Sequence, residues 1–300
     1  MSDQRIPWDM RYMPPEHEPM AERMGETYWL ANNEFLAPMP ATPLKLFPKL
    51  EMITGGLRPY EFTILCGATG TGKTTLCANL SRDFLEQDVP QFVASVETGR
   101  TDYVKRMISA TAGYDWNTGD PVPLTMLQLF NEQHGKKFAE SNAWLSLYDD
   151  RGRVEDLMAD IAASVKLHGS KIAIIDNLNF FLEVTSQQNA VIEMDRVIHE
   201  LIIFCKQVPI HVIMVMHPKK TDGGRVESEF DIKGSSTAVQ EAHNVLLWNR
   251  PHPDLIKMGR ASEGDRELKL AKMRRRGRYV HRRLIIKAKN GVQYYEGDLV

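Results

Sequence analysis

Eight consecutive residues, Gly67-Ala68-Thr69-Gly70-Thr71-Gly72-Lys73-Thr74, fit the pattern GxxxxGK[ST]. Glycines at these spacings let backbone amides wrap an anion without Cβ clashes. A helix opening at Lys73 would aim its N-terminal dipole at the same anion. Lys73 then reaches the β- and γ-phosphates of a nucleoside triphosphate, and the Thr74 hydroxyl ligates Mg²⁺. With Thr75, these residues form the candidate nucleotide-binding set. The plain alternative is a glycine-rich turn ahead of a helix. The apolar run before the loop and the helix-forming run after it favour the phosphate reading.

Three more residues could work beside that loop. Asp176 ends the apolar run Ile172-Ala173-Ile174-Ile175 and would hold Mg²⁺ through its water shell. Glu97 follows a second apolar run and could deprotonate an attacking water. It could equally be a helix-capping acid ahead of Thr101, and spacing alone leaves the two readings even. His217 ends a third run, where it could hydrogen-bond a γ-phosphate or serve only structure. Cys66, Cys77 and Cys205 lack metal-type or disulfide-type spacing and read as small buried side chains.

Alternating elements must deliver these residues. Strands are expected at 62–66, 91–96, 144–148, 172–176, 210–216 and 245–248. Helices are expected at 73–86, 101–112, 154–168 and 190–207. The last of these carries Met194, Val197, Ile198, Leu201 and Cys205 on one face. From Leu268 the chain reads as β-rich, with a hairpin turn near Asn290-Gly291. This α/β alternation predicts a mostly parallel twisted sheet with helices on both faces and a C-terminal β-hairpin. Residues 1–45 are broken by Pro14, Pro15, Pro19, Pro38, Pro40 and Pro43 and leave room for one helix at 21–36. They read as an arm that docks on its own core or on a neighbour, ahead of a domain at 46–300.

The bulk properties set limits. The chain has 300 residues, 43% hydrophobic and 25% charged, which suits a folded core rather than disorder. The polar start and the absence of any apolar run near ~20 residues predict a cytoplasmic protein, neither secreted nor membrane-bound. The net charge is −2, yet residues 251–300 hold 13 Lys and Arg against 6 Asp and Glu. That basic end fits a polyanion partner or, equally, a solvated face.

Several blocks in order resemble one family. Ile174-Ile175-Asp176-Asn177-Leu178-Asn179-Phe180, His217-Pro218-Lys219-Lys220, the segment from Gly234-Ser235-Ser236 to Asn244-Val245-Leu246, and Lys272-Met273-Arg274 are similar to the RecA-like core of the hexameric replicative helicases. These are the DnaB-like and Twinkle-like enzymes and phage helicase-primases. The resemblance runs from about residue 47 to 295. Departures are Tyr60 in place of a Gly, Asn179 in place of a Gln and His243 in place of an Asp.

The resemblance implies a RecA-like P-loop NTPase that uses ATP and Mg²⁺. Glu97 would be the catalytic glutamate and His217 the γ-phosphate sensor. Lys272 and Arg274 would reach a neighbour's nucleotide, with Arg275 and Arg276 crowding that choice. The loop 219–236 would contact DNA through Lys219, Lys220, Arg225, Lys233, Gly234 and Ser235. The implied function is a replicative helicase that moves 5′→3′ on single-stranded or forked DNA as a homohexamer, with primase and polymerase as separate proteins. A RecA- or RadA-type recombinase is the alternative, and a DNA-independent regulatory ATPase stands third.

Overall fold

The computed structural model describes residues 24, 27, 28, 31, 40–116, 118–146, 152–177, 187–219, 224–233, 236–275, 277 and 281–300. Two compact units divide it, Met1–Pro40 and Ala41–Val300. In the first, Met24, Thr27, Tyr28 and Ala31 are helical. The rest of the helix expected at 21–36 lies outside the described residues.

The second unit is built on one sheet of nine strands: β1 (Phe62–Gly67), β2 (Gln91–Ser95), β3 (Ala143–Leu145), β4 (Ile172–Asp176), β5 (His211–Met216), β6 (Asn244–Asn249), β7 (Arg266–Met273), β8 (Arg283–Lys289) and β9 (Gln293–Leu299). Their order is β3-β2-β4-β5-β1-β6-β7-β8-β9. The pairs from β3 to β6 are parallel, and β6 to β9 pair antiparallel. Every residue of β1, β2, β4 and β5 is buried. Central parallel strands are covered on both faces, so they read as unbroken apolar runs rather than alternating ones.

Helices α1 (Pro48–Thr54), α2 (Lys73–Glu86), α3 (Arg100–Ala112), α4 (Leu124–Phe130), α5 (Val154–His168), α6 (Gln187–Gln207), α7 (Ser236–Glu241) and α8 (Pro253–Lys257) fill the connections. Strand periodicity sorts side chains between two cores. Ala173, Ile175, Val212 and Met214 pack with Leu157 and Ile161 of α5 and with Val197, Ile198 and Leu201 of α6. Ile172, Ile174, Ile213 and Val215 face the other way, onto Leu76 and Phe84 of α2 and Tyr103 of α3. Burying one such side chain is worth about 1.5–3 kcal/mol, so a charge at Leu201 would open the first core. Gly113 and Gly169, both left-handed, end α3 and α5.

The sequence expectations for α2, α5 and β4 hold to the residue. The hairpin also holds, turning at Asn290 and Gly291 with φ of 52° and 71°. Strand β3 stops at Leu145, and residues 147–150 lie outside the described part. Helices α1, α4, α7 and α8 were not foreseen. No helix among the described residues is long and apolar enough to cross a membrane.

Candidate nucleotide-binding site

Parallel strands deliver their C-terminal ends to one edge of the sheet, where ligands of open α/β sheets bind. Cys66 of β1 is level with Met216 of β5, and Ser95 of β2 with Asp176 of β4. The loop 67–72, Glu97, Asp176 and His217 therefore leave the sheet side by side. The loop, Glu97 and His217 border a cleft of about 360 Å³ lined by Thr69, Lys73, Thr74, Glu97, Arg106 and His217, among others.

The loop is held from below. Trp248 Nε1 and Arg266 Nε both donate to the Thr71 carbonyl, at 2.8 and 2.7 Å. The Thr71 hydroxyl donates to the Ala68 carbonyl at 2.7 Å. Gly72, at φ 88°, is the residue before α2, and a Cβ there would fall 2.4 Å from the Tyr294 hydroxyl. A side chain at Gly67 would meet the Trp248 carbonyl at 2.5 Å. Close approach to backbone thus requires glycine at 67, and the left-handed φ requires it at 72.

The charged groups are sunk into this floor. Lys73 is 6% exposed, and its ammonium donates to the Ala68 carbonyl at 3.0 Å. Burial pulls its pKa below the ordinary lysine value, while the Asp176 and Glu97 carboxylates oppose that shift. Asp176 is 1% exposed, and neither carboxylate oxygen has a hydrogen-bond partner. Burial raises its pKa. The Thr74 hydroxyl, which stops short of hydrogen-bond geometry, is the largest influence lowering it.

Glu97 is more open, with 40% of its side chain exposed. It does not cap α3, whose N-cap is Gly99 without a side-chain cap bond. His217 Nδ1 lies 3.4 Å from both Thr69 Oγ1 and Lys73 Nζ, and its Nε2 lies 3.8 Å from Glu97 Oε2. Burial and then the Lys73 charge lower the His217 pKa, so the ring is neutral at pH 7. Asn177 lies between Glu97 and His217. It was not singled out from the sequence, nor were Arg106, Arg266 and Tyr294 on the cleft wall. Their signal is contact across long sequence distances, which no local motif carries.

The segment after His217 folds back on itself. Lys219 N donates to the Asp231 carbonyl at 2.7 Å, and Lys233 N to the His217 carbonyl at 3.2 Å. Lys219 and Lys233 are exposed. Arg225 is committed within the chain: it pairs with Glu227, with the fully buried Glu267 at 3.1 Å, and with the Arg250 carbonyl. It therefore anchors the loop to the sheet. Lys220, Gly234 and Ser235 lie outside the described residues.

Lys272 and Arg274 are not brought to this cleft. Their neighbour Met273 pairs with Asn244, which is level with Thr63 near the start of β1, whereas the loop leaves the end of β1. Lys272 Nζ donates to the Val239 and Gln240 carbonyls, and Arg274 Nη2 to that of Gln240 at 3.0 Å. Arg275 is held differently, on buried Glu61 at 2.6 Å.

A glycine-rich loop between β1 and α2, acids at neighbouring strand ends and a sheet of this order define a RecA-like P-loop nucleotide-binding protein. The chain belongs to the AAA domain family, whose sequence profile matches residues 44–223. It is 27% identical over 242 residues to the replicative DNA helicase DnaB of Leifsonia xyli subsp. xyli, covering 73% of this chain and 49% of that one. The chain thus spans about half the length of that curated relative. A solved DnaB-like replicative helicase, described with its interactions with primase, superposes with a TM-score of 0.74 at 15% identity, over 92% of this chain and 67% of its own. The ATPase domain of G40P superposes with a TM-score of 0.73 at 16% identity, over 93% of this chain and all of its own. These two likenesses establish the fold.

Proposed function

We propose that this chain is the ATP-driven motor of a replicative DNA helicase. It translocates 5′→3′ on single-stranded DNA as a homohexameric ring in the cytoplasm, and it excludes the complementary strand at a fork. Primase and polymerase would be separate partners. The observation that carries the reading is the double attachment of His217. Its imidazole faces Lys73 and Thr69 in the cleft, while its carbonyl accepts from Lys233 in the returning loop. A change at the phosphates would reach Lys219, two residues along the chain, and Lys233, one backbone hydrogen bond away, which would track the DNA backbone with Lys220, Gly234 and Ser235. The similarity to a replicative helicase over 73% of the chain supports the same reading.

In this reading residues 67–75 hold the triphosphate, and Lys73 neutralises its β- and γ-oxygens. Glu97 removes a proton from the attacking water. His217 contacts the γ-phosphate. Arg274 and Lys272 act on the neighbour's nucleotide, consistent with their distance from their own loop. Mg²⁺ fits the orphaned Asp176 carboxylate beside Thr74. A cation held by one carboxylate, waters and phosphates needs no cluster of protein ligands, and none occurs among the described residues. When bound, it would supply charge neutralisation at the phosphates. Thr42 and Leu44 pack on the chain's own core, and the preceding residues 1–40 would dock on a neighbouring subunit.

Strand displacement on a forked duplex with Mg²⁺ and ATP tests this, with Lys73→Ala as the control. Unwinding by the wild type alone is expected. Filaments and single-strand-stimulated hydrolysis without unwinding would replace the helicase with a recombinase.

A further inference from the structure

Two residues that face the cleft from different strands meet on a single nitrogen. Asn177 is 2% exposed. Its Nδ2 donates to Glu97 Oε2 and lies 3.0 Å from His217 Nε2. An ionised carboxylate can only accept, so the amide must present its nitrogen on this side and not its oxygen. That nitrogen carries two hydrogens, one for each neighbour. On its other side the ring reaches the loop, where Nδ1 lies 3.4 Å from both Thr69 Oγ1 and Lys73 Nζ.

The main chain is secured separately. Val96 N and Glu97 N both point to the Asp176 carbonyl, at 3.0 and 3.4 Å. Backbone bonds therefore fix where the Glu97 side chain begins, and the Asn177 amide fixes where its carboxylate ends. With 40% of its side chain exposed, Glu97 has little packing to hold one rotamer otherwise.

Building on the proposed ATPase reading, we propose that Asn177 is a positioning residue. Its side-chain amide joins the Glu97 carboxylate and the His217 imidazole into one hydrogen-bonded unit, which aims the base and ties it to the ring. In this scheme Asn177 touches neither water nor phosphate and acts through Glu97. General-base catalysis contributes about 10²–10⁴-fold, and a mis-aimed base forfeits part of that.

The test is a double-mutant cycle on the full chain. Asn177→Leu keeps the size and removes both hydrogen bonds. ATP turnover, binding of a non-hydrolysable ATP analogue and thermal melting are measured for wild type, Asn177→Leu, Glu97→Gln and the double variant. The expected result is a kcat lower by about 10–100-fold in Asn177→Leu, consistent with that share of base catalysis. Analogue affinity should stay within about threefold, and Asn177→Leu should add less than about twofold in the Glu97→Gln background, because residues acting as a unit are not additive. Unchanged kcat, an equal fall in both backgrounds, or a loss confined to analogue binding would each overturn the proposal. Should Asn177→Leu melt early, Asn177→Asp replaces the donor by an acceptor at constant shape, and wild-type turnover there overturns it too. Full turnover by Glu97→Gln would remove the base assignment and the positioning role together. A slow Glu97→Gln beside a normal Asn177→Leu would remove the positioning role alone.

Discussion

Lys73 and Glu97 border one cleft and do different work in the proposed reading, so their losses should separate. Lys73→Ala removes the buried ammonium that would face the phosphates and should weaken analogue binding as well as abolish turnover. Glu97→Gln keeps size and hydrogen bonding, so it should bind analogue normally while turning over about 10²–10⁴-fold more slowly. Equal analogue binding by both variants would contradict this division. At this scale the sequence was legible where chemistry is local. The loop 67–74 is contiguous, and Asp176 closes its own strand. Glu97 was undecided because an acid before a helix is also a cap, and only Gly99 at the N-cap removes that reading. Asn177 was invisible as a hub because its partners lie 80 and 40 residues away along the chain. The anchoring of Arg225 was invisible because nothing nearby announces buried Glu267, 42 residues on.

Elements were legible in proportion to their burial. β1, β4 and β5 are buried throughout and mostly apolar, and α6 shows a clean stripe, so period and run length were enough. α4 was missed because Leu124, Met126, Leu127 and Leu129 are exposed and no amphipathic pattern marks it. One link between strands has a pH signature. His211 of β5 is wholly buried, with Nδ1 on the Arg58 carbonyl at 2.8 Å and Nε2 on the Thr63 hydroxyl of β1 at 2.9 Å. The carbonyl can only accept, so Nδ1 carries the hydrogen and Thr63 donates to Nε2. Burial lowers the His211 pKa from 6.5 to about 4. The unfolded chain therefore takes up a proton in this window that the folded chain refuses. Stability is full above pH 6.5 and drains as the pH falls toward 4, by roughly 3 kcal/mol in all. Urea titrations at pH 7.5 and 5.5 should show this slope in wild type and a shallower one in His211→Asn. Equal slopes would refute it.

For the molecule as a whole, two cationic sites sit at opposite ends of β1. Lys73 follows its C-terminal end, while Arg274 lies beyond the start of β6. A single copy cannot bring them together, which is why the proposed reading requires neighbours. Arg274→Ala should bind analogue but hydrolyse poorly as a pure assembly. Mixed with Lys73→Ala protein, it should regain hydrolysis at hybrid interfaces, each made of an intact loop and an intact arginine. No recovery after verified subunit exchange would count against action in trans. Arg275→Ala should instead cost stability, since it strands buried Glu61. The domain's sheet and helices were readable from the sequence, but which cation belongs to which site depends on register, and register is a property of the folded sheet.

The buried thiols bear on how this protein could be watched at work. Cys66, Cys77 and Cys205 are the chain's three cysteines, and all are buried and free. Burial pushes the Cys66 and Cys205 thiols up to about 12 and Cys77 well above its usual value. At neutral pH only about one thiol in 10⁵ would then be ionised, and the thiolate is the form that alkylates. Maleimide dyes should therefore leave the native protein untouched. A cysteine placed at Phe230, 66% exposed on the returning loop, would give a single fluorophore site without first removing the others.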